Sequence, residues 1–229
     1  MNIKFALVGA VMAVAGSLGA AQAATIDLVN QGSTVWGSKN LYQDGVKITK
    51  GGSSTNVLAG LFMLKDKVSG TKFETFCIDV YNTLGTPPGK YDTTQTSWFS
   101  TKATEAVQKL YNTAYASVST AVQAAGFQLA LWEIVTEDTS KNGFDLSKGF
   151  FSATASSAVM NQAKSYLSGL TGKQTGSYDL TFFKSTSTPK GQDLLSATPS
   201  AVPVPASVLL LAGGLAGLGG IARRKAKKA

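Results

Sequence analysis

The pattern of apolar and polar residues changes near the middle of the chain. From Ile26 to about Tyr81, short apolar stretches alternate with Gly, Asn, Asp and Ser, as in "TIDLVNQGS" and "GVKITKGGSS". This pattern predicts β-strands joined by turns. The next segment, 83–101, contains Pro87 and Pro88 and predicts a loop.

Apolar residues recur at helical spacing from Thr104 to Thr136. One stripe consists of Val107, Leu110, Tyr111 and Ala114, and a second consists of Val122, Ala125, Leu129 and Trp132. The Ser/Thr-rich segment 117–120 separates the stripes and predicts two helices with a break at that point. A third helix is predicted over 155–170, and "GSYDLTFFKS" predicts a strand after it.

These elements together predict an α+β fold. The body, residues 24–195, is expected to be an antiparallel β-rich domain with helices inserted between the strand-rich front and a returning strand. A signal peptide, 1–23, and a C-terminal tail with a transmembrane sorting helix, 196–229, are expected to flank it.

The first residues are typical of a secretory signal peptide. Lys4 gives a basic start, an apolar run follows from Phe5 to Leu18, and small residues precede a cleavage point after Ala23 or Ala24. The sequence therefore predicts export across a membrane.

The last residues have the order of a membrane anchor. An uncharged apolar run, 208–222, precedes a basic end, 223–228, that contains Arg223, Arg224, Lys225, Lys227 and Lys228. The run is short against the roughly 20 residues of a comfortable span. The basic end would nevertheless hold it in a membrane with the charges on the cytoplasmic side.

A proline-containing motif, 202–206, stands before this run and consists of Val202, Pro203, Val204, Pro205 and Ala206. The order of motif, apolar helix and basic end resembles the PEP-CTERM class of bacterial sorting signals in its Val-Pro-Leu-Pro-Ala variant, with Val204 in place of Leu. The resemblance implies a Gram-negative exported protein, held in the inner membrane until an exosortase-type enzyme cleaves near the motif. The mature protein would then reach the cell surface or the extracellular space.

The basic character of the chain comes from these terminal segments. The net charge is +8, from 21 Lys and Arg against 13 Asp and Glu, and Lys4 and the tail contribute six of the 21 positive charges. The body therefore has a balance of about +2 and no basic run with interleaved aromatic residues, so no nucleic-acid partner is predicted. The sequence has no His, which disfavours zinc sites and Ser-His or Cys-His catalysis, and we expect no cofactor.

Cys77 is the only cysteine, so a disulfide within the chain is impossible. Strand alternation in "KFETFCIDVY" places its side chain on the opposite face from Phe76 and Ile78. Gln128 is similarly isolated, because it interrupts the most apolar predicted helix, and an unpaired buried amide costs about 1–3 kcal/mol. A small buried thiol and a paired core amide would each explain these residues without any chemistry.

Two short motifs resemble those of the bacterial thioester domains. The first is Phe76, Cys77, Ile78 and Asp79, and the second is Gln128, Ala130, Leu131 and Trp132, with Phe127 where the family usually has Thr. The resemblance implies an internal thioester between Cys77 and Gln128.

The same resemblance implies an enclosed site and a covalent partner. Phe76, Phe127 and Trp132 would shield the bond from water, and Asp79 would polarise an incoming nucleophile. An amine or hydroxyl on another surface would attack the former Gln128 carbonyl. Because each molecule would react once, no enzymatic turnover is expected.

Other functions remain open on the sequence alone. The chain could be a non-covalent structural protein of an extracellular matrix with a free buried cysteine, or a secreted carbohydrate-binding module or hydrolase, with exopolysaccharide as the partner. An acidic segment, 133–145, could hold calcium through oxygen ligands, although a solvated loop explains it equally.

Overall fold

The computed structural model describes residues 24–85, 87–137, 143–174 and 176–201. The predicted signal peptide, 1–23, and the tail features predicted at 202–206, 208–222 and 223–228 lie outside the described residues. Within the described part of the chain, no helix is both long enough and apolar enough to cross a membrane.

Nine strands form two antiparallel sheets in the described part of the chain. Six of them close a barrel in the order β1-β4-β5-β9-β8-β6, and the other three form a sheet in the order β3-β2-β7. The strands are β1 Ala24–Asn30, β2 Tyr42–Lys50, β3 Ser53–Gly60, β4 Phe62–Asp66, β5 Lys72–Cys77, β6 Gly89–Thr94, β7 Phe151–Thr154, β8 Tyr178–Ser185 and β9 Leu194–Pro199.

Among the described residues, three helices lie between β6 and β8 in sequence. They are α1 Thr101–Ala114, α2 Ala121–Thr136 and α3 Ser157–Ser168, with β7 between α2 and α3. The predicted helix break is confirmed, because α1 is followed by a short 3-10 turn and α2 begins after Thr120. Thr120 and Gln123 form a reciprocal capping box that satisfies backbone N–H groups at the start of α2.

Strand alternation gives the barrel an inner and an outer apolar face. Phe73 on β5 and Phe183 on β8 meet edge-to-face with ring centroids 5.2 Å apart, although β9 lies between their strands. Their rings therefore meet inside the barrel. Residues that alternate with the inward-facing ones, such as Phe76 on β5 and Leu195 on β9, face outward and are buried under the helices.

The central helix, α2, is buried on every side from Ala124 to Ile134. It packs against α1, α3 and strands of both sheets. A helix that is apolar all round is typical of a protein core. Gln128 and Glu133 are the two polar side chains in this buried stretch, so each needs a hydrogen-bond partner.

The α+β class, the antiparallel strands and the inserted helices are confirmed. Two details differ from the sequence interpretation. Strand β6 lies within the segment predicted as a loop, and it pairs with both β1 and β8 to close the barrel. Strand β9 continues to Pro199 and pairs with β5 and β8, so the folded body extends beyond residue 195.

Gly60 marks the point where the chain leaves the three-stranded sheet for the barrel. A side chain there would overlap the Leu41 carbonyl oxygen and lie 2.6 Å from Tyr42 Cα. The backbones of β2 and β3 therefore approach at a distance that only glycine allows.

We expect Gly60→Ala to lower the free energy of unfolding by about 2 kcal/mol, because an added methyl group here must displace backbone atoms. Urea unfolding of the full chain measures the change. Gly169→Ala is the matched control, because a methyl group there meets no atom within 4 Å. Equal unfolding midpoints for the two variants would contradict the prediction.

Candidate functional site

The site begins where β5 loses a strand partner. Pairing between β4 and β5 stops at Phe62 and Thr75, and the same register would place Gly60 opposite Cys77. Gly60 instead pairs with Tyr42 of β2. The N–H and C=O groups of Cys77 thus point toward an edge that has no strand, and both would be buried and unpaired without a substitute.

The side-chain amide of Gln128 takes the place of the missing strand. The Cys77 N–H donates to Gln128 Oε1 at 3.0 Å, and Gln128 Nε2 donates to the Cys77 carbonyl at 2.7 Å. Cys77 is 0% and Gln128 1% exposed. The structure therefore brings together the two residues that the sequence singled out, and it explains an amide inside an apolar helix.

This pairing also fixes the plane of the amide relative to the thiol. Two hydrogen bonds to one residue of β5 hold the amide in the hydrogen-bonding plane of the strand. Side chains of a strand project perpendicular to that plane, and a nucleophile attacks a carbonyl carbon from outside the plane of its amide.

The thiol itself is held by the main chain of the next residues. Cys77 Sγ donates to the Asp79 carbonyl at 3.0 Å, and the Asp79 N–H lies 3.3 Å from the sulfur. Burial raises the pKa of the Cys77 thiol to about 12, and contacts with the Asp79 backbone and the Trp132 indole oppose the rise. Cys77 is therefore a protonated thiol at neutral pH.

Trp132 lies beside the sulfur, one helical turn after Gln128. Its side chain is 3% exposed, and its indole N–H has no hydrogen-bond partner of ordinary geometry among the described residues. The nearby sulfur is a weak acceptor. The indole N–H is thus free to donate to a stronger acceptor next to the thiol.

Phe76 and Phe127 hold β5 against α2 on the other face of the strand. Their ring centroids lie 4.6 Å apart, and Tyr111 meets Phe127 edge-to-face at 5.0 Å. All three rings are buried. The aromatic cluster therefore keeps Gln128, the neighbour of Phe127, at a fixed distance from Cys77.

The Asp79 carboxylate is engaged away from the thiol. Its oxygens accept from the Tyr81 N–H at 2.8 Å and from Asn82 Nδ2 at 2.6 Å, and Lys190 Nζ lies 3.6 Å away. The backbone of Asp79, not its carboxylate, contacts the sulfur. Asp79 thus organises the segment after β5.

Lys50 is a site residue that the sequence interpretation missed. Its ammonium donates to the Val80 carbonyl and lies 3.5 Å from the centroid of the Tyr81 ring. Burial lowers the pKa of Lys50, while Asp79 and Cys77 act to raise it. The sequence contains a signal for this inward position, because Lys50 continues the alternation of the buried residues Val46 and Ile48 along β2.

Two carboxylates of the acidic segment, 133–145, accept hydrogen bonds from backbone N–H groups in the described part of the chain. Glu133 Oε1 accepts from the Asp145 N–H at 2.6 Å, and Glu137 accepts from the Phe151 N–H. No cluster of three acidic or Cys side chains suited to a metal occurs among the described residues. Two candidate ligands in the segment, Asp138 and Asn142, lie outside them.

No family model matches the chain, and no curated protein matches it. The chain is similar to a solved structure of the N-terminal domain of the Streptococcus pyogenes pilus tip adhesin Cpa, at 16% identity with a TM-score of 0.41. The match covers 76% of this chain and 99% of that one.

We expect Gln128→Leu to lower the free energy of unfolding by about 2–4 kcal/mol, since two backbone groups of Cys77 lose their partner in a buried site. Denaturant unfolding followed by circular dichroism measures the loss. Gln95→Leu removes an amide from an exposed position and should change stability by less than about 0.5 kcal/mol. A loss no larger than that of the control would show that the pairing contributes nothing.

Ionisation of the Glu133 carboxyl should lower the free energy of unfolding as pH rises. Burial raises the pKa of its carboxyl from 4.5 to about 7, so between these values the folded chain keeps a proton that the unfolded chain releases. The free energy of unfolding therefore decreases through this window and levels off above it.

Glu133→Gln should remove this pH-dependent contribution, because its amide oxygen still accepts from the Asp145 N–H but cannot ionise. Urea unfolding from pH 4 to pH 8 should show the variant gaining stability relative to the native chain as pH rises. The exposed control Glu105→Gln should show no such gain. Parallel curves for the native chain and Glu133→Gln would refute the assignment.

Proposed function

We propose that this chain is an exported surface protein that attaches covalently to a partner through an internal thioester between Cys77 Sγ and Gln128 Cδ. The observation that carries the proposal is the paired hydrogen bonding of the Gln128 amide to the Cys77 backbone inside the core. It supports the proposal because it holds nucleophile and carbonyl together before any bond forms, as proximity catalysis requires.

Formation of the bond would use groups that are already in place. The Cys77 sulfur attacks Gln128 Cδ, and negative charge develops on Oε1, which accepts a hydrogen bond from the Cys77 N–H. A buried backbone donor aimed at such an oxygen stabilises the tetrahedral intermediate. The C–N bond then breaks, the thiol proton goes to the departing nitrogen, and ammonia leaves.

The enclosure would protect the product from water. Cys77 and Gln128 are fully buried, with Trp132 beside the sulfur and the aromatic cluster of Phe76 and Phe127 behind the strand. Exclusion of water prevents hydrolysis of a reactive intermediate. The thioester would therefore persist until a nucleophile reaches it.

The second step would join two molecules. An amine or hydroxyl of the partner attacks the Gln128 carbonyl, the C–S bond breaks, and the proton of the nucleophile ends on the Cys77 sulfur. The Asp79 N–H and the Trp132 indole contact that sulfur and favour its thiolate form. The reaction occurs once per molecule, so we propose an attachment device rather than an enzyme.

The terminal segments supply the proposed route to the surface. The signal peptide directs export, the apolar tail holds the chain in the inner membrane, and an exosortase-type enzyme cleaves near 202–206. The product is a cell-surface or extracellular protein.

A second candidate is a non-covalent matrix protein with an unreacted thiol. Two observations favour it: burial raises the pKa of Cys77 to about 12, and the amide of Gln128 already has a structural role. The two candidates share the fold and differ in one covalent bond.

Mass spectrometry of the full-length protein decides between them. After pepsin digestion at acidic pH, we expect the peptides that carry Cys77 and Gln128 to stay joined and to weigh less than their sequences by one ammonia. Methylamine should separate them, adding its mass to the Gln128 peptide and freeing the Cys77 thiol for alkylation.

Cys77→Ala and Gln128→Glu are the controls, because neither can form the bond with loss of ammonia. Both should show unlinked peptides and no methylamine adduct. Unlinked peptides of full mass from the native chain, with a thiol that alkylates only on unfolding, would establish the second candidate instead.

A further inference from the structure

Two clefts flank the segment Val80–Asn82, which follows the strand that carries Cys77. The first cleft, of about 380 Å³, is lined by Asp79, Lys190 and Asp193 among others, and we call it the acidic cleft. The second, of about 520 Å³, is lined by Lys50, Gln192 and Trp132 among others, and we call it the Lys50 cleft. Asp79 of the acidic cleft and Trp132 of the Lys50 cleft are both neighbours of the Cys77 sulfur.

The charged groups of the acidic cleft satisfy one another. Asp79 is bound as described above, and Asp193 accepts from the Ser185 N–H at 2.8 Å. Lys190 Nζ bridges the two carboxylates at 3.6 and 3.3 Å. These groups form a closed network, so no carboxylate or ammonium is left to bind a ligand.

The Lys50 cleft has unmet hydrogen-bonding capacity instead. The indole N–H of Trp132 and the amide oxygen Oε1 of Gln192 are both buried without a hydrogen-bond partner among the described residues. Such groups cost about 1–3 kcal/mol each unless a ligand or water pairs with them. One is a donor and the other an acceptor, so a ligand that pairs with both must be able to accept and to donate hydrogen bonds.

A hydroxyl group meets this requirement, since it carries one donor and two acceptor sites. An ammonium only donates, and a carboxylate only accepts. Lys50 is the only charged side chain among the described residues that line this cleft, so the cleft also repels cations. Its chemistry therefore favours a neutral, hydroxylated ligand.

The rim of the cleft favours a sugar over a Ser or Thr side chain. Tyr81 is 65% exposed there, and the amides of Asn56 and Asn82 line the same cleft. An exposed aromatic ring packs against the C–H face of a sugar, while amides bind its remaining hydroxyls. A single Ser side chain has neither such a C–H face nor further hydroxyls for these groups to bind.

We propose that the Lys50 cleft binds a neutral saccharide and presents one of its hydroxyls to the Gln128 carbonyl, with Lys50 selecting hydroxyl over amine nucleophiles. This inference rests on the proposed thioester and names the class of molecule that would react with it. Because Trp132 lies beside the Cys77 sulfur, a hydroxyl that accepts from its indole N–H sits next to the C–S bond.

The reaction balances without another reagent. The hydroxyl oxygen forms an ester bond to Gln128 Cδ, the C–S bond breaks, and the hydroxyl proton ends on the Cys77 sulfur. An attacking amine becomes positively charged as its C–N bond forms, whereas a hydroxyl loses its proton as it attacks. The ammonium of Lys50 therefore raises the barrier for amines more than for hydroxyls.

Competition labelling of the full-length protein tests the proposal. The protein is incubated with maltose, methylamine or N-acetylserine amide, and the Gln128 peptide is analysed for ester and amide adducts. The native chain should form the maltose ester in preference to the serine ester. In Lys50→Glu and Lys50→Met, the ratio of methylamine adduct to maltose ester should rise, by about tenfold in the charge reversal.

Lys47→Glu is the matched control, because Lys47 is an exposed residue on the same strand and does not line the cleft. Its product ratio should equal that of the native chain. A ratio that both Lys50 variants leave unchanged, or labelling by the serine compound but not by maltose, would overturn this inference alone. Absence of any adduct at Gln128, methylamine included, would overturn the thioester and this inference together.

Discussion

Cys77 of β5 has a neighbouring strand on one edge only, and a side chain from the central helix supplies the hydrogen bonds missing on the other. The need arises at Gly60, which pairs with Tyr42 in the three-stranded sheet before the chain enters β4, so no strand lies opposite Cys77 on that edge. Gln128 satisfies both backbone groups and thereby fixes α2 against the barrel. This pairing adds a polar link to the apolar packing of α2 on the barrel, because a buried N–H and C=O cannot remain unpaired at low cost.

The same constraint determines what surrounds the thiol. A helix that delivers a polar side chain into the core must bury its other faces, and α2 does so from Ala124 to Ile134. That burial makes Cys77 a poor acid and excludes water from it. A structural requirement of the fold thus produces the dry, closely held pair of groups on which the proposed chemistry relies.

Much of this architecture could be predicted from the sequence because its signals are local. Helical spacing, the Ser/Thr segment before α2 and the polar residue in its apolar run can all be read from neighbouring residues. Strand β6 could not be recognised, because only Tyr91 in its Thr-rich sequence is fully buried and its partners β1 and β8 are distant in the chain. Lys50 was missed for a similar reason, since only the folded β2 brings it to Val80 and Tyr81.

The position of β9 has a mechanical consequence. This strand runs between β5 and β8, and its first residue, Leu194, pairs with Cys77, while its last, Pro199, leads toward the tail. A load applied between Pro199 and the Cys77 end of the strand would act along β9. Its hydrogen bonds on both edges would then share the force in shear instead of opening one after another, so β9 would resist extension as one unit.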